Sequence, residues 1–197
     1  MRNLCFGGSF NPIHNGHLLC SQAVASVMDA TRLVLIPSAT SPHKVGHADM
    51  ADAEDRLTMC RLAVAGNPVF EVDDIELRRD GPSYTIDTVR YLRNAKRWEQ
   101  VNWLIGADQV AALPRWREPA ALLREVNFIV MARPGWSFDW HALPPEFRVL
   151  QNNVVDAPLI DISATDIRRR VRAGEPIDEL VPPAVADYIQ SHNLYRA

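Results

Sequence analysis

Two histidines stand three residues apart in the first loop of the chain, Gly7–His17, directly after a short apolar run. Two glycines at the end of a strand let the backbone approach a ligand closely. If the next helix opens at Asn15 or Gly16, His17 lies in its first turn and His14 just outside it. The first N–H groups of a helix have no intrahelical partner and carry a positive dipole end, which favours an anion. The pattern therefore favours a polyphosphate site with two imidazoles as hydrogen-bond donors.

The same loop has two other interpretations. The glycines could make a tight turn with packed or solvated histidines, or the two histidines could ligate zinc. No acidic residue or cysteine completes a zinc set within the loop, so no metal ligand is predicted. The loop also lacks the dinucleotide fingerprint and the Gly-Lys-Ser/Thr phosphate loop, which disfavours a dehydrogenase or a phosphate-loop ATPase.

A second candidate anion site lies near the other end of the chain, at Ile162–Arg168. Ser163 followed three residues later by Asp166 is a capping-box pattern, which accounts for these residues structurally. A helix start with Ser163, Thr165 and Arg168 also offers hydroxyl groups, backbone N–H groups and a bidentate fork for phosphate.

Strand and helix patterns alternate along the sequence, and this alternation must position both loops. The predicted strands are Asn3–Phe10, Arg32–Pro37, Val69–Val72, Val101–Ile105, Asn127–Ala132 and Pro158–Ile162. The predicted helices are His17–Ala30, Ala51–Ala65, Ser83–Lys96, Pro119–Arg124, Thr165–Ala173 and Pro183–His192. This order predicts an α/β fold, a Rossmann-like doubly wound parallel sheet with helices on both faces. Ligands of such sheets bind at the carboxyl ends of the strands.

The composition limits the classes of protein to which the chain can belong. With 197 residues, 47% hydrophobic and 23% charged, the chain has the balance of one globular domain, not of a disordered segment. A net charge of -3 argues against a nucleic-acid partner. No apolar run approaches the roughly 20 residues that span a bilayer, and no signal-peptide pattern precedes the first strand. We therefore expect a single-domain cytoplasmic protein without a membrane partner, either a monomer or a homodimer.

The two end motifs together carry a resemblance. Gly8–Pro12 followed by His14–His17 resembles the signature of the nucleotidyltransferase superfamily with a His-x-Gly-His motif, and Ile162–Arg168 resembles that superfamily's second signature. Asn11 departs from the Asp that is more frequent there, and Ala164 from a frequent Ser. Neither departure removes a group that the chemistry requires.

Four further segments resemble bacterial nicotinate-nucleotide adenylyltransferases, in the order of that family. They are Ser41–Lys44, Ser83–Thr88, Leu104–Asp108 and Leu113–Trp116. The resemblance implies the nucleotidyltransferase fold and transfer of an adenylyl group from ATP to nicotinate mononucleotide, with Mg²⁺ accompanying ATP. The products would be nicotinate adenine dinucleotide, an intermediate of NAD biosynthesis, and pyrophosphate.

The resemblance also implies roles for individual residues. The catalytic residues would be His14, His17, Lys44 and Arg168. ATP would bind Gly8, Ser9, Phe10, His17, Gly106, Asp108, Ser163, Thr165 and Arg168. Nicotinate mononucleotide would bind His43, Tyr84, Thr85, Asp108 and Trp116. The family varies at Arg117, and no role is assigned to it.

Other functions stay open on the sequence alone. A related enzyme could use nicotinamide mononucleotide or phosphopantetheine as the acceptor. A non-catalytic dinucleotide sensor could use the same pocket, although a sensor need not retain both histidines, Lys44 and Arg168. Release of pyrophosphate separates an enzyme from a sensor.

Overall fold

A computed structural model describes residues 2–39 and 49–196 of the chain. The strands are β1 (Asn3–Gly8), β2 (Arg32–Pro37), β3 (Phe70–Val72), β4 (Asn102–Gly106), β5 (Asn127–Ala132) and β6 (Val154–Asp156). The helices are α1 (Asn15–Val27), α2 (Ala53–Val64), α3 (Thr85–Asn94), α4 (Pro119–Glu125), α5 (Ala164–Ala173) and α6 (Pro183–Ser191). Five of the six predicted strands and all six predicted helices are confirmed, with shifts of a few residues at their ends.

The strands form a sheet in the order β3-β2-β1-β4-β5-β6. The pairings of β1 with β4, β4 with β5 and β5 with β6 are parallel. This is the doubly wound order, in which the direction of winding reverses between β1 and β4. The predicted α/β class and Rossmann-like order are therefore confirmed.

The predicted strand Pro158–Ile162 is wrong, because the last strand is β6, a few residues earlier. Ala157 still donates its N–H to the carbonyl of Ala132 on β5. Pro158 has no N–H to donate, so the ladder ends there. Leu159, which suggested a buried strand, is 69% exposed.

The chain divides into two compact units. The first unit comprises residues 1–7, 20–34 and 84–159, and the second comprises residues 8–19, 35–83 and 160–197. The prediction of a single domain stays a prediction.

Each unit has its own buried apolar residues. In the first unit, β1, β4 and β5 bury Leu4, Trp103 and Phe128. In the second unit, α2 packs against α6, with Leu57 and Val185 buried. Two groups of predicted site residues lie at the ends of strands in this core, after β1 and at the end of β4.

Candidate active site

The His-containing loop, in the second unit, turns sharply after β1. Phe10 is buried and has a φ of +43°, a left-handed conformation that is uncommon for a residue with a side chain. The ring of Phe10 contacts that of His17 edge-on, with centroids 5.2 Å apart. The rings of His14 and His17 are stacked, with centroids 3.6 Å apart and an interplanar angle of 24°. The structure thus brings the two predicted histidines together as α1 begins at Asn15.

The geometry also identifies the nitrogen of His14 that carries the proton. The backbone N–H of His17 donates to the carbonyl of His14 at 2.9 Å and also lies 3.3 Å from Nδ1 of His14, a contact that favours Nδ1 as an acceptor. Burial lowers the pKa of His14 to about 4, so the ring is neutral at pH 7. The ring proton therefore lies on Nε2, and His14 is a neutral hydrogen-bond donor.

Gly16 makes this arrangement possible. A Cβ at position 16 would lie 3.0 Å from Nδ1 of His14 and 3.5 Å from the Cβ of Ile162. A side chain at position 16 would therefore push the His14 ring out of place.

The second motif lies in the same unit and contacts the first. Ser163 caps α5, because its hydroxyl oxygen accepts a hydrogen bond from the N–H of Asp166 at 3.1 Å. The capping-box interpretation is therefore confirmed for Ser163. Nη1 of Arg168 donates to the backbone carbonyl of Asn11 at 2.9 Å, and Nη2 lies 3.5 Å from the hydroxyl of Thr165. We call residues 8–17 together with 163–168 the histidine region.

One donor of Arg168 has no protein acceptor within the described ranges. Its Nε atom is buried and has no hydrogen-bond partner there. A buried guanidinium N–H without an acceptor costs stability unless a ligand accepts it. This supports the predicted contact of Arg168 with an anion.

Asn11 joins several distant segments of the second unit. Its Oδ1 accepts hydrogen bonds from the hydroxyl of Tyr195 at 2.8 Å and from the N–H of Ala51 at 3.0 Å. Its Nδ2 donates to the carbonyl of Asp49 at 2.9 Å. A carboxylate could not make that last bond, so the departure from Asp at this position has a structural reason in this chain.

The sequence analysis missed Arg56, on α2. Only 1% of its surface is exposed, and burial lowers the pKa of its guanidinium. Nη1 donates to the carbonyls of Ser9 at 2.8 Å and Ser38 at 2.7 Å. Nε donates to Ala51 at 3.0 Å, and Nη2 to Ala39 at 3.1 Å. Arg56 therefore ties the loop after β1 to the loop after β2. The one sequence signal for it is an arginine among buried positions of a helix.

The predicted acceptor residues of the first unit lie around the start of α3 and before α4. The guanidinium of Arg117 lies 4.7 Å from the centroid of the Tyr84 ring. Trp116 packs edge-on against Phe128, with centroids 6.4 Å apart. Its indole N–H is buried and has no acceptor among the described residues. We call residues 84–85 and 115–118 the tryptophan region.

An ion pair links the end of the tryptophan region to α3. Arg90 on α3 donates to both carboxylate oxygens of Glu118, at 3.0 and 2.6 Å. Arg90 holds the pKa of the Glu118 carboxyl below its usual range. Since both side chains are partly exposed, the pair contributes little to stability.

Gly106 and Asp108 occupy the carboxyl end of β4, also in the first unit. A Cβ at Gly106 would collide with Oδ1 of Asp108, so only glycine lets the carboxylate fold back over the strand end. Oδ2 of Asp108 accepts a hydrogen bond from Gln109 at 2.6 Å. Asp108 is exposed, so a ligand can reach its carboxylate.

Two predicted residues, His43 and Lys44, lie outside the described residues. Within residues 2–39 and 49–196, no group of three or more His, Cys, Asp or Glu side chains could hold a metal ion. No helix in those same ranges is long and apolar enough to cross a membrane.

The chain is similar to known proteins over most of its length. A family model described as cytidylyltransferase-like matches residues 5–170. A probable nicotinate-nucleotide adenylyltransferase of Roseiflexus sp. (strain RS-1) is 43% identical over 96% of this chain and 96% of its own length. One from Herpetosiphon aurantiacus is 40% identical over 97% of this chain and 96% of its own length.

A solved structure shares the fold at low sequence identity. It is the Plasmodium falciparum nicotinic acid mononucleotide adenylyltransferase complexed with NaAD, which is 18% identical. It covers 99% of this chain and 98% of its own length with a TM-score of 0.78.

Proposed function

This chain belongs to the nicotinate-nucleotide adenylyltransferase family, and we propose on that premise how its residues perform the reaction. The enzyme transfers the adenylyl group of ATP to nicotinate mononucleotide and releases pyrophosphate, a step of NAD biosynthesis. The proposed mechanism rests on one observation. His14 and His17 are stacked, and Arg168 of the same unit donates a hydrogen bond to the loop that carries them.

The reaction needs no nucleophile from the protein. An oxygen of the 5′-phosphate of nicotinate mononucleotide attacks the α-phosphorus of ATP, and the bond between that phosphorus and the bridging oxygen to the β-phosphate breaks. A phosphate monoester is already largely ionised near pH 7, since its second pKa is about 6. The protein must therefore hold two anions in line and stabilise the charge of the transition state.

The histidine region supplies donors for that charge. His14 offers its Nε2–H, and because the ring is neutral it cannot lose this donor by deprotonation near pH 7. His17 lies in the first turn of α1, where backbone N–H groups also favour an anion. Arg168 adds a fixed positive charge, while Ser163, Thr165 and Lys44 complete the proposed set of triphosphate contacts.

The tryptophan region receives the pyridine ring in this proposal. Trp116 offers a ring for stacking, and the N–H groups at the start of α3, next to Tyr84 and Thr85, favour the carboxylate of nicotinate. We place a ribose hydroxyl on Asp108 beside Gly106, and His43 with the acceptor nucleotide. We expect the acid to be preferred over the amide.

Mg²⁺ enters the reaction as part of the ATP substrate. We propose that phosphate oxygens and water hold it, because Mg²⁺ keeps several waters and binds readily to phosphates. EDTA should abolish pyrophosphate release, and added Mg²⁺ should restore it.

The cellular setting is also proposed. Charged nucleotide substrates are retained inside a membrane, so we place the enzyme in the cytoplasm with small-molecule partners and no nucleic acid. A monomer or a homodimer is expected, which light scattering of the purified protein would establish.

The experiment that tests the function is an acceptor screen with ATP, read out by pyrophosphate release. The screen contains nicotinate mononucleotide, nicotinamide mononucleotide and phosphopantetheine. The largest kcat/KM is expected with nicotinate mononucleotide. Binding of the nucleotides without pyrophosphate release would indicate a sensor, and a preference for phosphopantetheine would indicate a different transferase.

A further inference from the structure

Arg117 is placed to act on the acceptor, although the sequence assigns it no role. It is exposed and directly follows Trp116. Its guanidinium lies over the face of the Tyr84 ring, 4.7 Å from the centroid. This is within the distance at which a cation is attracted to an aromatic face, so the side chain has a preferred position and does not sample solvent freely.

The charge of Arg117 is not neutralised by an ion pair. No carboxylate in the described part of the chain lies within ion-pair distance of its guanidinium. The adjacent Glu118 is the obvious candidate, but both of its carboxylate oxygens accept hydrogen bonds from Arg90. Arg117 acts on that carboxyl only as a nearby charge that helps to lower its pKa. The charge of Arg117 is therefore offset in part, and its guanidinium N–H groups have no acceptor among the described residues.

The surroundings of this charge favour an anion. Tyr84, on which Arg117 lies, directly precedes α3, a ten-residue helix with its positive dipole end at Thr85. Trp116, the residue before Arg117 in the sequence, has a buried N–H that lacks an acceptor among the described residues. The cation therefore lies at a helix start and next in sequence to Trp116, and we assign both Tyr84 and Trp116 to the pyridine nucleotide.

We propose that Arg117 is a specificity-determining residue that favours the anionic carboxylate of nicotinate over the neutral carboxamide of nicotinamide. This inference rests on the proposed function. The positive charge stabilises a bound carboxylate and has nothing to stabilise in an amide. Because Arg117 is exposed, water and salt screen the interaction, so we expect a factor of about 2–5 in selectivity.

The test is the ratio of kcat/KM for nicotinate mononucleotide to that for nicotinamide mononucleotide. We compare the wild-type enzyme with Arg117→Met and Arg117→Lys, at low and high salt. Arg124→Met is the matched control, since it removes the same charge from an exposed side chain on α4, outside the tryptophan region.

Arg117→Met should lower the ratio about 2–5-fold through KM for the acid, with kcat retained, and the loss should shrink at high salt. Arg117→Lys should restore part of the ratio, and Arg124→Met should leave it unchanged. An Arg117→Met enzyme that loses activity equally with both acceptors would overturn the inference, because a purely structural role has that result. A wild-type enzyme inactive with both pyridine nucleotides would instead overturn the proposed function itself.

Discussion

The histidine region and the tryptophan region are held by different kinds of contacts. Around the histidines, buried side chains donate to main-chain carbonyls, as Arg56 does to Ser9 and Ser38. Around Trp116, the contacts are an exposed ion pair and a cation over a ring. The difference fits the roles that we propose for the two regions, because charge stabilisation requires fixed donors and acceptor selection requires an accessible surface.

Substitution of Arg56 should lower the free energy of unfolding more than any other change considered below. Arg56→Met removes the donor to four carbonyls, one in a buried hydrogen bond and three in partly buried ones. A fully buried carbonyl left unsatisfied costs about 1–3 kcal/mol, and a partly buried one less, because water can reach it. We expect the free energy of unfolding to fall by at least about 3 kcal/mol, measured by urea denaturation.

The matched control is Arg61→Met on the same helix, since the one ion pair of Arg61 within residues 2–39 and 49–196 is a partly exposed contact with Asp74 at 3.5 Å. Its effect should stay below about 1 kcal/mol. If both variants lose the same free energy of unfolding, the hydrogen bonds of Arg56 stabilise the protein no more than a surface ion pair does. Arg56→Lys, which keeps a charge and some donors, should fall between the two and remain folded for kinetic work.

His14 should make stability depend on pH. Burial lowers its folded-state pKa to about 4, against 6.5 in an unfolded chain, so the unfolded state binds the extra proton between these values. The stabilising contribution is complete above pH 6.5 and is lost as the pH falls towards 4, by about 1.4 kcal/mol per pH unit.

Urea denaturation at pH 7, 6 and 5 measures this slope. His14→Gln should have a shallower slope than the wild type, whereas His141→Gln, which changes an exposed histidine, should keep the wild-type slope. Parallel slopes for wild type and His14→Gln would show that His14 is not buried as a neutral ring.

Removal of the Tyr195 hydroxyl should change stability less than the titration of His14 does. Burial raises the pKa of its phenol, which therefore stays a donor to Asn11 at neutral pH. Tyr195→Phe should cost about 1 kcal/mol of stability and lower kcat, because Asn11 also holds Arg168 through its carbonyl. Tyr188→Phe removes a hydroxyl that hydrogen-bonds to Asp55 and Thr58 on α2, away from Asn11, and it should leave kcat unchanged. Equal kcat values for the two variants would contradict the role of Tyr195.

The smallest effect should come from the ion pair of the tryptophan region. Arg90→Met removes the bidentate contact with Glu118, which is partly exposed and screened by salt. We expect a nearly unchanged Tm and a slight rise in KM for the pyridine nucleotide at low salt. A large loss of kcat would mean that this region, too, is rigidly preorganised.

The two regions also differ in how far the sequence predicted them. Local patterns identified the start of α1 beside His14 and His17, and the cap at Ser163, because both depend on neighbouring residues. Arg56 and the Asn11–Tyr195 contact were missed, since all but one of these hydrogen bonds join residues 17 to 184 positions apart along the chain. The last strand was misplaced because Leu159 suggests burial while Pro158 ends the pairing.

The most direct test of the account is the effect of His17→Ala on both pyridine nucleotides. Loss of one preorganised donor should lower kcat about 100-fold or more with either acceptor and leave the ratio of their kcat/KM values unchanged. That result would assign the chemistry to the histidine region and acceptor selection elsewhere. Near-wild-type turnover, or a changed ratio between the two acceptors, would contradict it.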